Sequence, residues 1–133
     1  MHNPTLLDLG CGLGWLCEKV PYYKYVGVDS VKQFCDFAEK KFSSPHRSFL
    51  EQDITNLSAI EDNTIDCAIS CFTHCWVKDI NAVAKEAYRV LTDGGFLFIL
   101  TPNPSTYHAM GKRYGFLDRY FNDKHQKSYT ISE

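Results

Sequence analysis

Residues 5–15 read TLLDLGCGLGW: an apolar run broken only by Asp8, then glycines at positions 10, 12 and 14. The run has the length of a buried strand, and the glycines mark a turn directly behind it. Glycine gives up more backbone entropy on folding than any other residue, so three in five positions need a reason. The spacing predicts a strand, a tight turn and a short helix, WLCEKV, closed by Pro21, with a ligand approaching the turn's backbone.

Working outward, KYVGVD (24–29) reads as a second strand ending in Asp29. In SVKQFCDFAEKKF (30–42), apolar residues at 31, 34, 35, 38 and 42 form the stripe of an amphipathic helix. Ser30 and Gln33 have capping-box spacing at its start, and Ser43, Ser44 and Pro45 end it. RSFLEQDI (47–54) reads as a third strand, NLSAI as at most a short helix, and IDCAISCF (65–72) as a fourth strand. DINAVAKEAYRVL (79–91) is a second amphipathic helix, with Gly94 and Gly95 as its expected stop, and FLFILTP (96–102) is a fifth strand. Strands alternating with helices imply right-handed βαβ units and an α/β fold with a mostly parallel, doubly wound sheet.

The chain of 133 residues has the size of one domain, divided here into a core over 1–104 and an irregular, aromatic-rich segment over 105–133. Lys and Arg number 14 against 16 Asp and Glu, a net charge of -2. That balance gives neither nucleic acid nor an anionic membrane a basic face to bind. The apolar runs near the start are too short to cross a bilayer. Six cysteines (11, 17, 35, 67, 71 and 75) sit within apolar segments, as expected of reduced, buried thiols in a cytoplasmic protein.

In such a sheet a glycine turn between first strand and first helix admits an anionic group at the helix N-terminus. Asp29 stands 19 positions after Gly10, where a ribose-hydroxyl acceptor belongs. A dinucleotide fingerprint would require a third glycine at position 15, which is Trp15. The indole argues against a nicotinamide-dependent reductase, and no phosphate loop ending in Gly-Lys-Ser/Thr occurs.

The stretch Asp8-Leu9-Gly10-Cys11-Gly12-Leu13-Gly14 resembles the first motif of class I S-adenosylmethionine-dependent methyltransferases. Further similarities follow in the family's order: VGVDS, EQDI, IDCAISCFTHCWVKD and EAYRVLTDGGFLFILTPNP, together spanning roughly residues 5–104. The small-molecule branch (type 11), which includes quinone-biosynthesis enzymes, is the most similar. The resemblance implies a Rossmann-like sheet of order 3-2-1-4-5, S-adenosyl-L-methionine as cofactor and a small-molecule methyl acceptor. It also implies roles for individual residues. Gly10, Cys11 and Gly12 would present backbone to the methionine part, and Asp8 would receive its ammonium. Asp29 would take the ribose hydroxyls, with Ser30 and Val31 beside the adenine. Asp53 and Ile54 would bind the adenine edge, while Ser70 and Cys71 would line the methionine end.

His74 and Trp76 follow the fourth strand, near the expected acceptor. His74 is the candidate base, because imidazole titrates near neutrality, and the competing reading is a loop histidine or a pocket wall. Cys67, Cys71, His74 and Cys75 suggest zinc at first sight. However, 67, 69 and 71 share one strand face and no paired C-x-x-C supports a metal centre, so core packing is expected and no metal. His125 and Tyr129 are weaker candidates. Tyr107, Tyr114, Phe116, Tyr120 and Phe121 have two open roles, a lid over an apolar acceptor or packing on the sheet.

Class I enzymes usually carry seven strands and a helix before the first motif. No candidate for strands six and seven follows here, so the expectation is a chain truncated at both ends. FLFIL would then be an exposed apolar edge, covered by the final segment or by a second copy in a homodimer. The expected activity is methyl transfer to an oxygen, nitrogen or carbon nucleophile. The alternative is a non-catalytic domain of the same fold that binds the cofactor or a partner.

Overall fold

The computed structural model describes residues 2–73 and 76–100. Five strands, β1 (Thr5–Leu9), β2 (Lys24–Asp29), β3 (Arg47–Glu51), β4 (Ile65–Cys71) and β5 (Leu91–Leu100), form one parallel sheet of order β3-β2-β1-β4-β5. The helices are α1 (Lys32–Phe42) and α2 (Ile80–Val90), with a single 3-10 turn over Trp15–Glu18 in place of the expected short helix. Neither α-helix, at 11 residues each, is long and apolar enough to cross a membrane. The order reverses between β1 and β4, so the crevice at their carboxyl ends is the expected ligand position.

Two apolar layers follow from alternation along the strands. Leu7, Leu9, Val26, Val28 and Ala68 face α2 and the loop carrying Ile54, Leu57 and Ile60. Leu6, Tyr25, Phe49 and Cys67 face Cys17 of the 3-10 turn and Ala38 and Phe42 of α1. The five cysteines among the described residues are all free, and four of them are buried.

Three local expectations are corrected. The Ser30–Gln33 capping box does not form. Val31 caps α1 without a side-chain bond, and its amide donates instead to Asp29 Oδ1 at 2.9 Å. The third strand stops at Glu51 rather than running to Ile54; beyond it Asp53 folds back on Thr55, and NLSAI forms turns, within the expected limit of a short helix. Gly94 and Gly95 do not end α2, which stops at Val90 as Leu91 turns extended. They lie within β5, where the ladder slips from Ile65–Leu91 to Cys67–Phe96. That slip also explains why Ile65 and Cys67 pack in opposite layers despite their even spacing.

α2 is tied to the loop beneath it by Arg89. Its guanidinium donates to Glu86, to Asp62 and to the carbonyls of Ile60 and Leu57, while Glu86 accepts from the Leu57 amide at 2.6 Å. No lysine reproduces this planar fork. Arg89→Ala is therefore expected to lower stability by about 1–3 kcal/mol, and Arg89→Lys to recover less than half of it. Urea unfolding of the two variants checks this, and equal stability of parent and Arg89→Ala would refute it.

β5 is the terminal strand among the described residues. Its Phe96, Phe98, Ile99 and Leu100 are about half exposed.

Candidate functional site

The glycine turn is held from below. The Gly10 and Cys11 amides both donate to the Val28 carbonyl, at 2.8 and 2.9 Å. The Gly12 amide donates to Asp29 Oδ2 at 2.9 Å. Asp29 thus grips the turn with one oxygen and the start of α1 with the other. A carboxylate offers about four lone-pair sites, so two remain for further donors.

The three glycines have different reasons. A Cβ on Gly10 would lie 2.1 Å from the Thr73 methyl, and one on Gly14 would lie 2.8 Å from Phe49 and 2.9 Å from Ala38. At both positions the protein itself presses on the backbone. At Gly12, φ is +53° and a Cβ would meet nothing within 4 Å among the described residues. Only there does the turn face open space.

Above the carboxyl ends of the strands lies a cavity of about 470 Å³. Gly10, Asp29, Ser30, Asp53 and Ile54 line it, bringing together five of the expected cofactor residues. Gln52, Thr55, Thr73, Val77, Lys78 and Asp79 complete the wall with Trp76. Sequence reasoning missed these except Trp76, because they sit in loops without periodicity. Thr73 closes the β1–β4 gap by donating to the Gly10 carbonyl at 3.3 Å and the Cys71 carbonyl at 3.1 Å. One oxygen of Asp53, Oδ1, accepts from the Thr55 amide and hydroxyl at 2.9 and 2.7 Å.

Asp8, Cys11, Gly12, Val31, Ser70 and Cys71 are not among the lining residues. Ser70 is buried and Cys71 half-buried at the end of β4. His74, like the aromatics from Tyr107 to Phe121 and His125 and Tyr129, lies outside the described residues.

Asp8 is only 2% exposed and accepts a hydrogen bond from the Tyr25 hydroxyl. Burial lifts its carboxyl to about 6, the Tyr25 bond opposes the rise and the Asp29 charge adds to it. Among the described residues no Lys, Arg or His forms an ion pair with it. A buried anion without a counter-cation is unfavourable unless something positive arrives. The Cys11 thiol above it is pushed up, first by burial and then by the Asp8 charge, so it stays neutral.

A parallel α/β sheet with a cavity at its switch point, an acid ending β2 and a tight glycine turn after β1 has Rossmann-like architecture. Residues 7–99 match the methyltransferase domain family, and the chain belongs to it. The chain is 26% identical over 133 residues to the malonyl-[acyl-carrier protein] O-methyltransferase of a Marinomonas species, an alignment covering 97% of this chain and 48% of that protein. To the thiol S-methyltransferase TMT1B of Mus musculus it is 31% identical over 101 residues, covering 72% and 41%. The crystal structure of an S-adenosylmethionine-dependent methyltransferase from Mesorhizobium loti superposes with a TM-score of 0.68 at 22% identity, over 75% of this chain and 47% of that one. The chain spans about half the length, or less, of the curated relatives it matches.

Proposed function

We propose that the chain binds S-adenosyl-L-methionine and serves methyl transfer to a small-molecule nucleophile. The observation that carries this reading is the pairing of two anions around one turn. Asp29 lines the cavity with lone pairs left for a diol, and Asp8 lies buried beneath the turn with no cation paired to it among the described residues. The cofactor offers a ribose diol and an ammonium group, and the open side of Gly12 leaves room for its amino-acid end. Asp53 Oδ1 is bound to Thr55, leaving Oδ2 for the adenine amino group, with Ile54 against the ring. Ser30 and Val31 would border the adenine, and Ser70 and Cys71 the methionine end.

The cofactor supplies an activated methyl group, transferred by in-line displacement at sulfur. The protein's contribution is to align donor and acceptor and to exclude water. His74 remains the candidate base for an acceptor that must lose a proton, and Trp76 a wall of the acceptor side. Residues 1–104 are proposed as the cofactor-binding unit, in keeping with the 7–99 family match, and 105–133 as a separate segment. The half-exposed apolar face of β5 favours pairing with a second copy. A cytoplasmic location suits the free, buried cysteines.

Calorimetric titration with S-adenosylhomocysteine tests this function, and micromolar binding is expected. Gly12→Ala sharpens the test. With nothing near the added methyl, stability should fall only by the cost of a left-handed alanine, about 1 kcal/mol. Affinity should fall tenfold or more, because the methyl enters the space assigned to the ligand. A folded parent chain that binds neither S-adenosylhomocysteine nor S-adenosylmethionine would sink the proposal in favour of a partner-binding module.

A further inference from the structure

Tyr25 belongs to neither the glycine turn nor the cavity wall, yet its hydroxyl is the one side-chain donor to Asp8 among the described residues. Parallel pairing sets Asp8 opposite Gly27, with Tyr25 two residues earlier on the same face of β2. Gly27 offers no side chain between them, and its site is filled by Phe49 and Cys11, each within 3 Å of where a Cβ would be. The Tyr25 ring is 2% exposed and packs against Phe49 with centroids 5.7 Å apart. Its hydroxyl is therefore aimed at Asp8 by packing from a third strand. Buried tyrosine hydroxyls require a partner, and a buried carboxylate requires a donor.

Among the described residues, the titratable groups facing Asp8 are Tyr25 and Asp29 of β2, Cys11 of the turn, Cys17 of the 3-10 turn and Cys71 of β4. None is a cation. Burial raises the three thiols, and burial with the Asp8 charge raises the tyrosine, so these groups stay neutral. Asp29 adds negative charge. The hydroxyl is thus the group that keeps an ionised Asp8 tolerable before any ligand arrives.

We infer that Tyr25 is a positioning residue of the cofactor site, its hydroxyl fixing the Asp8 carboxylate beneath the glycine turn so that it can receive a cationic group of the ligand. This rests on the S-adenosylmethionine reading above and adds to it a residue outside the cavity. A phenylalanine at this position would keep the packing and remove only the donor.

The test has a ligand-free arm and a ligand arm. Carbon-13 NMR follows the Asp8 carboxyl from pH 4 to 8 in the parent chain and in Tyr25→Phe, and calorimetry follows S-adenosylhomocysteine binding over the same range. A hydrogen bond to a charged group corresponds to a midpoint shift of about one pH unit. The variant's midpoint should rise by that much, and its affinity at pH 7 should fall about twofold or more, since the ionised fraction of Asp8 alone drops by about half. Asp29→Ala should weaken binding without raising the Asp8 midpoint. An unchanged midpoint in folded Tyr25→Phe overturns the inference even if the parent binds normally. A raised midpoint in Tyr25→Phe together with a parent that binds no ligand overturns the cofactor reading instead, leaving Tyr25 a purely structural partner. Should Tyr25→Phe fail to fold, Asp8→Asn decides. It keeps the acceptor for Tyr25 and removes the charge, so binding that stays tight and keeps the parent's pH dependence refutes the inference.

Discussion

At pH 7, Asp8→Asn is expected to make the folded chain more stable by about 2 kcal/mol while weakening S-adenosylhomocysteine binding at least tenfold. The stability gain follows from linkage. Burial raises the Asp8 carboxyl from 3.8 to about 6. Between those values the folded chain holds more protons than the unfolded one, so stability falls as pH rises through that window. Above it the whole gap applies, about 3 kcal/mol at 1.36 kcal/mol per pH decade. Asparagine removes this cost and still accepts from Tyr25, but its buried amide donors need partners, which trims the gain. Urea unfolding at pH 7 and pH 4 measures the effect, and the advantage should vanish at pH 4, where the folded parent holds Asp8 protonated and little of the gap applies. An Asp8→Asn chain that is less stable than the parent at pH 7 would mean that the Tyr25 bond outweighs desolvation. The same linkage predicts that ligand affinity of the parent declines as pH falls through 6, where Asp8 loses its charge. Stability given up at a site that binds well is the usual signature of function.

Asp29→Ala is expected to weaken S-adenosylhomocysteine binding by a factor of about 100 or more. Two hydrogen bonds from a diol to a carboxylate contribute about 1.5–3 kcal/mol each, and tenfold in affinity is about 1.4 kcal/mol. A second loss adds to this. Asp29 also anchors the Gly12 amide and the amide of Val31 at the start of α1, so alanine loosens the turn that the ligand must meet. Asp29→Asn separates the two effects, because its single carbonyl oxygen keeps one anchor at most. Its affinity should fall between parent and alanine. Calorimetry on all three decides, and near-equal affinity across them would remove Asp29 from the site.

Much of the fold is legible in the sequence because periodicity and glycine placement are local properties. β1, β2 and β4 and both α-helices follow from apolar runs and stripes, and KYVGVD matches its strand residue for residue. The cap of α1 is not legible, because Ser30 and Asp29 are both good cap formers and sequence cannot say which carboxylate or hydroxyl points back. Gly94 and Gly95 mislead for a related reason. A double glycine ends helices as readily as it lets a strand bulge.

Of the candidate site, sequence by itself determined that Gly10 follows the first strand and that Asp29 ends the second, and therefore that both would meet at one end of a parallel sheet, whereas the end of β3 at Glu51, which leaves Asp53 in the loop beyond it, was not legible. It also determined that Trp15 stands where a dinucleotide site needs glycine. Only the tertiary structure decided why each glycine is there, since the contacts that Thr73, Phe49 and Ala38 make with the turn join residues far apart in the chain. Only it placed Tyr25 against Asp8, because the β1–β2 register brings them together across 17 residues. Hydrophobic patterning reports which face a residue takes, whereas the partner it meets on that face is set by packing between elements that the local sequence does not encode.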